Sequence, residues 1–221
     1  MTRSFEETYQ GELVALRALF GEERVSLDLP RLGEIHEYTE AKWHEYAARL
    51  RDDAVRYLLI AEAPPWSPDG PPQFLLDPGS RVTTMMRALR HAFPGCEGVS
   101  PAECLQALAL RGFLLIDSIP FAMKYSSRQR ASERYDDLVR LTATSYLQRK
   151  VQESGLTWSR DLRISFSLRL NALSICKSIR HLSFGGRMHP LSPQMIAVNT
   201  AGYPDARRLR DVYGLSAAKD M

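Results

Sequence analysis

The chain has 221 residues, 44% hydrophobic and 25% charged, with a formal net charge of +3 at pH 7. That is the make-up of a globular protein with one sizeable core, and the length gives no reason to require two domains. The mildly basic balance permits a nucleic-acid partner without requiring one. The three cysteines, Cys96, Cys104 and Cys176, form no Cys-x-x-Cys pair, so free thiols in a reducing compartment are expected, not a disulfide framework or a zinc site. Residues 1–7 hold no apolar signal core. The most apolar stretch, 107–123, is broken by Arg111 and Asp117, so no membrane partner is expected and a cytoplasmic location is the default.

In chain order, residues 5–20 read as a helix, because Leu13, Leu16, Leu19 and Phe20 recur at helical spacing. Residues 27–32, around Pro30, read as a connector. Residues 34–50 read as a second helix with Trp43, Tyr46 and Leu50 on one stripe; His36 and His44 fit ordinary helix positions better than ligand positions. Tyr57-Leu58-Leu59-Ile60 is a short apolar run closed by Ala61-Glu62-Ala63-Pro64-Pro65-Trp66. Such a run fits a strand buried on both faces, and the prolines force the chain out of the sheet. The C-terminal end of a buried parallel strand opens on a crevice, where open α/β sheets bind ligands. Residues 67–80, rich in Pro and Gly around Phe74-Leu75-Leu76, form the loop at that end.

Residues 81–93 read as a helix with Met85, Met86 and Leu89 on its apolar face. Ser100-Pro101-Ala102-Glu103 supplies an N-cap, a first-turn Pro and a capping-box Glu for a helix ending at Leu110. Residues 112–117 form a second apolar strand ending in a carboxylate, Asp117. A polar and basic stretch, 124–134, leads into a long amphipathic helix, 135–153. Residues 162–168 alternate apolar and polar side chains, which places a third strand nearer an edge. A helix over 170–182, a turn-rich loop over 185–193 and a terminal helix over 204–213 complete the chain. Strands alternate with helices, so the expected class is α/β. The expected architecture is a single three-layer α/β/α sandwich with a short, mainly parallel central sheet and extra helices over residues 1–50. Right-handed crossovers bring the loops after Ile60, after Ile116 and before His189 to one rim.

That rim would carry Glu62, Phe74, Asp117 and His189 beside basic side chains. Glu62-Ala63-Pro64, followed by Gly70, Phe74, Gly79 and the helix with Met85 and Leu89, resembles the first motif of the uracil-DNA glycosylase superfamily. The nearest branch is the bacterial one whose motif reads Gly-Glu-Ala-Pro-Gly. The strand ending at Asp117 lies where that family has a strand ending in a base-reading Asn. His189-Pro190-Leu191-Ser192-Pro193 is similar to its His-Pro-Ser motif, and the resemblance runs in order over residues 58–193.

The resemblance implies a monofunctional enzyme, expected to work as a monomer on DNA. It flips a nucleotide, stacks the base, reads its edge and hydrolyses the N-glycosidic bond without metal or cofactor. By that resemblance Ala63, Pro64, Phe74 and Asp117 hold the base. Glu62, Asp117 and His189 carry the chemistry, with His189 donating a hydrogen bond to a base oxygen as charge builds there. Lys124, Arg128, Arg130 and Arg187, with Arg134, Arg207 and Arg208, are candidates to track phosphates, and Leu191 or Met188 to wedge the stack. The residue types alone leave alternatives open. Phe74 either stacks on a base or anchors its loop, Glu62 either orients water or holds the loop, Asp117 either reads a base or caps a turn, and His189 fits a surface turn as well as a site.

Three departures from the family pattern bear on function. Ala61 and Pro65 replace its two motif glycines, and Pro65 removes an N–H. Ala63 stands where the best-known branch has a water-activating Asp, although the Gly-Glu-Ala-Pro branch lacks that Asp too. Asp117 replaces the edge-reading Asn. An ionised Asp only accepts hydrogen bonds, so it repels the O4 of uracil and accepts from the exocyclic amine of cytosine. Protonated, it can donate towards N3 of a leaving cytosine. The expected target is therefore a cytosine-type base, in particular a modified cytosine such as phage DNA carries, and not plain uracil. The iron–sulfur cluster of the resembling branch needs four Cys ligands, one more than the chain has. The competing expectation is a non-catalytic nucleic-acid- or nucleotide-binding protein that keeps the fold, motivated by Ala61, Ala63 and Pro65.

Overall fold

A computed structural model describes residues 4–50 and 54–215. The N-terminal region folds as α1 (Phe5–Thr8), α2 (Gln10–Phe20) and α3 (Glu22–Ala47), followed by a 3-10 turn, Ala48–Leu50. The connector expected at residues 27–32 does not exist, because α3 runs for 26 residues straight through Pro30. A mid-helix Pro costs about 3 kcal/mol through a lost hydrogen bond and a ring clash. The helix offsets that by burying Val25, Leu32, Ile35, Trp43 and Tyr46 along its length, each such side chain contributing roughly 1.5–3 kcal/mol.

The sheet begins with β1 (Val55–Ala61), which leads through α4 (Thr84–Ala92) and α5 (Pro101–Leu110) to β2 (Phe113–Asp117). From β2 the chain passes through α6 (Ser127–Arg130), α7 (Glu133–Thr142), a π-helical stretch (Ala143–Gln148) and α8 (Arg149–Glu153) to β3 (Trp158–Phe166). All three strands are parallel in the order β2-β1-β3, with Leu59 opposite Leu115 and Ala61 opposite Asp117. Strands covered on both faces must be apolar throughout, which is why Leu58, Leu59, Ile60, Leu114 and Ile116 are all fully buried. The fold class read from the sequence is the one observed.

On one face Tyr57 packs against Phe93 and against Tyr213 of α10 (Ala206–Tyr213), with ring centroids 5.3 and 5.2 Å away. On the other, α7 packs against α2 and against α9 (Arg169–Ser178). The free edge of β2 is covered by α3: Trp43 Nε1 donates to Leu115 O at 2.8 Å and Tyr46 Oη to Phe113 O at 3.0 Å. Those bonds satisfy carbonyls that would otherwise present an open pairing edge.

Beyond α9 the expectation needs correction. Residues 181–184 are not helical, and residues 187–190 are not loop. They form an antiparallel hairpin, β4 (His181–Phe184) with β5 (Arg187–Pro190). Gly185 and Gly186 turn it with φ of 53° and 78°, the left-handed pair that a tight hairpin turn requires. The chain then returns to the sheet, where Ala197 N donates to Phe166 O and Phe166 N donates to Met195 O. Ile196 thereby lies parallel beside the end of β3. Among the described residues no helix is long and apolar enough to cross a membrane.

Gly112, with φ 74°, begins β2 against the start of β1; a Cβ there would lie 2.4 Å from Ala54 O and 3.0 Å from Arg56 N. Gly112→Ala should therefore cost a few kcal/mol, about 1–2 from the left-handed backbone and the rest from the clash with backbone. Gly98→Ala, equally left-handed at φ 71° but in open space, should cost only about 1–2 kcal/mol. Urea midpoints of the two variants give the comparison.

Candidate functional site

The site is built where β1 and β2 end side by side. Their pairing continues past the strands, because Ser118 N donates to Ala61 O at 2.8 Å and Ile119 N to Glu62 O at 2.9 Å. Beside this double exit lies a cleft of about 260 Å³. It is lined by Leu59, Ala61, Ala63 and Pro65 from β1 and its exit, by Leu115 and Asp117 of β2, and by Phe74, Leu75, Thr83, Met85 and Ser167. The small side chains of Ala61 and Ala63 leave the space that larger ones would fill.

Phe74 is 3% exposed and packs in the core, anchoring its loop, and it is also among the residues that line the cleft. The loop over residues 67–80 is clamped down. Arg31 of α3 donates to Ser67 O and Gly70 O at 2.8 and 2.6 Å. Asp77 accepts from Tyr38 Oη at 2.8 Å, Ser80 Oγ at 3.1 Å and Gly79 N at 3.1 Å, and Phe74 N donates to Ser80 Oγ at 2.9 Å. Burial would raise the Asp77 carboxyl, but those bonds hold it below the usual carboxylate range.

Asp117 is only 6% exposed, lines the cleft, and has no hydrogen-bond partner among the described residues. Burial pushes its carboxyl up to about 7; Lys150 opposes this, while Glu40 and Glu62 add to it. Near neutral pH the group is therefore divided between an acid that can donate and a carboxylate that can only accept. A carboxyl without a side-chain partner, lining a cavity, makes Asp117 the candidate ligand-facing group of the cleft.

Glu62 is differently placed. Arg130 Nε and Nη2 donate to its two oxygens at 2.7 and 2.6 Å, and Tyr135 Oη donates to Oε1 at 2.6 Å. Asn171 Nδ2 donates to Tyr135 Oη at 3.3 Å and to Ser118 Oγ at 3.0 Å, and Ser118 Oγ donates to Glu62 O at 3.1 Å. Both oxygens of Glu62 are thus taken by a bidentate, charge-assisted pair and a phenol, and of its two open roles the geometry provides the loop-holding one. Arg130, expected on phosphates, turns its guanidinium inward to Glu62. Ser118, Tyr135 and Asn171 were not singled out in the sequence, where isolated polar residues after a strand or within a helix carry no pattern.

Glu62, Pro64, Trp66, Lys124, Tyr125 and Arg130 border a second hollow of about 490 Å³, which shares Ala63 and Pro65 with the cleft. Pro64 therefore faces this hollow and not the cleft. Lys124 and Arg128 are exposed, and Arg134 donates to Ala18 O at 2.8 Å.

His189 is not brought to the cleft. It sits on β5 with its ring 5.3 Å from Phe184, whose ring is 4.6 Å from Trp158. Trp158 pairs with Val55 at the start of β1, whereas Asp117 pairs with Ala61 at its end. The hairpin carrying His189, Arg187 and the 63%-exposed Met188 thus lies towards the opposite end of the sheet. Leu191 follows it, its N donating to Arg180 O at 2.9 Å. The segment that does reach the cleft end is residues 196–198, beside Phe166. It runs into a turn in which Asn199 Oδ1 accepts from Ala201 N and Tyr203 N at 3.0 and 3.1 Å. Among the described residues no group of three or more His, Cys, Asp or Glu is placed to hold a metal. Comparison of the chain with protein-family models, curated proteins and solved structures finds no match in any of the three.

The raised Asp117 has a consequence for stability. The folded state holds this proton more tightly than the unfolded chain, whose reference is 3.8. Its stabilising contribution is full below that value and is lost as pH rises to about 7. Asp117→Asn should therefore be more stable than the wild type at about pH 8, with the gap narrowing by a few kcal/mol towards about pH 5, as read from urea midpoints.

Proposed function

We propose that the protein is a DNA glycosylase with a uracil-DNA-glycosylase-like arrangement, which hydrolyses the N-glycosidic bond of a flipped-out cytosine-type base, in particular a modified cytosine. One observation carries this reading: a buried carboxyl without a side-chain hydrogen-bond partner, Asp117, lining an apolar cleft that Phe74 also lines. A flipped base in such a cleft stacks on the ring and places its edge against the carboxyl. As carboxylate, Asp117 accepts from the exocyclic amine of cytosine. As acid, it gives its proton to the ring nitrogen N3 while the C1′–N1 bond breaks and its electron pair leaves with the base. The departing base is then neutral, and water adds its oxygen to C1′ and releases a proton. A proton from a positioned acid contributes typically 10²–10⁴-fold.

The second hollow supports a modified substrate. It adjoins the cleft through Ala63 and Pro65 and brings Trp66, Tyr125 and Lys124 within reach of a substituent that a plain base lacks. Such bases occur in phage DNA, and defence against foreign DNA in the cytoplasm is the biological setting this reading favours. A second reading, a non-catalytic nucleotide- or nucleic-acid-binding protein, is favoured by Glu62, whose two oxygens already accept three hydrogen bonds from Arg130 and Tyr135 and are held as part of the scaffold.

Oligonucleotides carrying uracil, cytosine, 5-hydroxymethylcytosine or its glucosylated form, scored for abasic sites, decide between the two. A cytosine-type base should be excised, with Asp117→Asn slower by roughly 100-fold or more. His189→Ala, altered far from the cleft, should stay within about two-fold of the wild type. Excision of uracil alone would remove the role given to Asp117. Tight DNA binding with no excision would favour the binder. Lys124→Ala should weaken DNA binding evenly across sequences and reduce the slope of log affinity against log salt by about 1.

A further inference from the structure

Of the basic side chains expected on phosphates, Arg130 is turned inward to Glu62, Arg134 donates to Ala18 O, and Arg187 sits on the hairpin away from the cleft. Arg207 and Arg208 are placed differently. They stand in the first turn of α10, and the start of α10 is tied to the cleft end of the sheet. Asp205 N donates to Ala197 O at 3.0 Å and Ala197 N to Phe166 O at 2.8 Å, while Phe166 pairs with Ile60 near the end of β1. The residue after Phe166, Ser167, lines the cleft.

α4 begins at the same end, because Thr83 and Met85 also line the cleft. The two helices pack side by side and run in the same direction. Arg210 Nη1 donates to His91 O at 3.0 Å, and the Tyr213 ring lies 5.8 Å from that of Phe93, just past the end of α4. One turn back from the Arg210–His91 contact stand Arg207 on α10 and Arg87 on α4, both exposed. Arg81, also exposed, lies just before α4 at its cleft end. Among the described residues none of Arg81, Arg87, Arg207 and Arg208 forms an ion pair. α4 carries no acid, and the acids on α10 are the exposed Asp211 and, at the N-cap, Asp205. Asp205 Oδ1 accepts from Arg207 N and Arg208 N at 2.8 and 3.0 Å. The helix end is therefore already capped, and what this face offers an anion is its guanidinium groups. Such a face is complementary to a polyanion, and the fork of Arg matches phosphate oxygens.

An exposed aromatic side chain precedes the α10 arginines. Tyr203, 65% exposed, lies two residues before the N-cap, on the turn that the Asn199 side chain closes. Asn199 N also donates to Tyr203 O at 2.9 Å, so the ring is carried on a backbone tied at both of its polar groups. Basic groups that track a backbone, with an aromatic ring for a base to stack on, are the elements by which proteins hold single strands. We propose that the face formed by α4 and α10 docks single-stranded DNA, with Arg81, Arg87, Arg207 and Arg208 on its phosphates and Tyr203 stacked on an unpaired base. The strand reaches the cleft from this side, and Lys124 lines the hollow beyond Ala63 and Pro65. That the docked strand carries the base to be excised rests on the glycosylase reading, whereas the docking itself does not.

The test is fluorescence anisotropy of the full chain with a labelled single strand, its duplex and, as a polyanion without bases, heparin, over a range of salt. It compares the wild type with the triple variant Arg87→Gln/Arg207→Gln/Arg208→Gln, with Tyr203→Ala, and with Arg140→Gln on α7 as control. For the single strand the slope of log affinity against log salt should shrink by about 0.7 for each arginine removed, and stay unchanged in Arg140→Gln. Tyr203→Ala should weaken the single strand by roughly 5-fold or more and leave heparin unaffected. A folded triple variant with the wild-type slope overturns the proposal. So does a Tyr203→Ala protein that binds the single strand as the wild type does, and this variant decides alone if the triple one does not fold. Binding weakened as expected, with no base excised from any oligonucleotide, sustains the docking face and removes the glycosylase reading. Excision by a triple variant that binds as the wild type does keeps that reading and removes the docking face.

Discussion

Everything at the candidate site depends on the parallel register of β1 with β2. Ala61 opposes Asp117, and the pairing runs on past both strands through Ser118 N to Ala61 O and Ile119 N to Glu62 O. A one-residue slip of β2 would turn its side chains to the other face of the sheet, taking Leu115 and Asp117 away from Leu59 and Ala61 and breaking the cleft. The register is held from outside as well. Trp43 and Tyr46 bond to the carbonyls of Leu115 and Phe113, and the close approach of Gly112 to Ala54 and Arg56 fixes where β2 begins. The cleft is thus a property of the whole sheet edge and not of a mobile loop.

The second organising feature is how charge is distributed around that register. Glu62 and Asp117 follow the two strand ends, and the fold treats them in opposite ways. Glu62 receives a bidentate guanidinium and a phenol and becomes part of the scaffold. Asp117 receives nothing and is raised by burial to about 7. Two carboxyls placed in such different surroundings can divide holding from chemistry.

Much of the fold was legible because it rests on local signals. The apolar runs ending at Ile60 and Ile116 are strands, Ser100-Pro101-Ala102-Glu103 opens α5 with its full capping box, and helices cover both faces of the sheet. Pro30 misled, because tertiary burial along α3 outweighs a local breaker. Gly185-Gly186 read as loop although a Gly-Gly pair is itself a hairpin-turn signal; the flanking strands, His181–Phe184 and Arg187–Pro190, are too short and too polar to show an apolar pattern. That error carried into the site: it placed His189 on the rim, whereas the hairpin holds it towards the other end of the sheet. Ala63, Phe74 and Asp117 were legible, because strand ends and their loops reach the crevice of an α/β sheet. Tyr135 and Asn171 were not, since their partners lie 36 to 73 residues away in the chain.

The central claim is that Asp117 serves the hydrolytic release of a cytosine-type base. The most direct measurement is mass spectrometry of the products formed from DNA containing 5-hydroxymethylcytosine or its glucosylated form in oxygen-18 water. The account predicts a free cytosine-type base and the heavy oxygen on the abasic sugar, with both products falling away in Asp117→Asn. Intact DNA, or a base released at the same rate by Asp117→Asn, would contradict it.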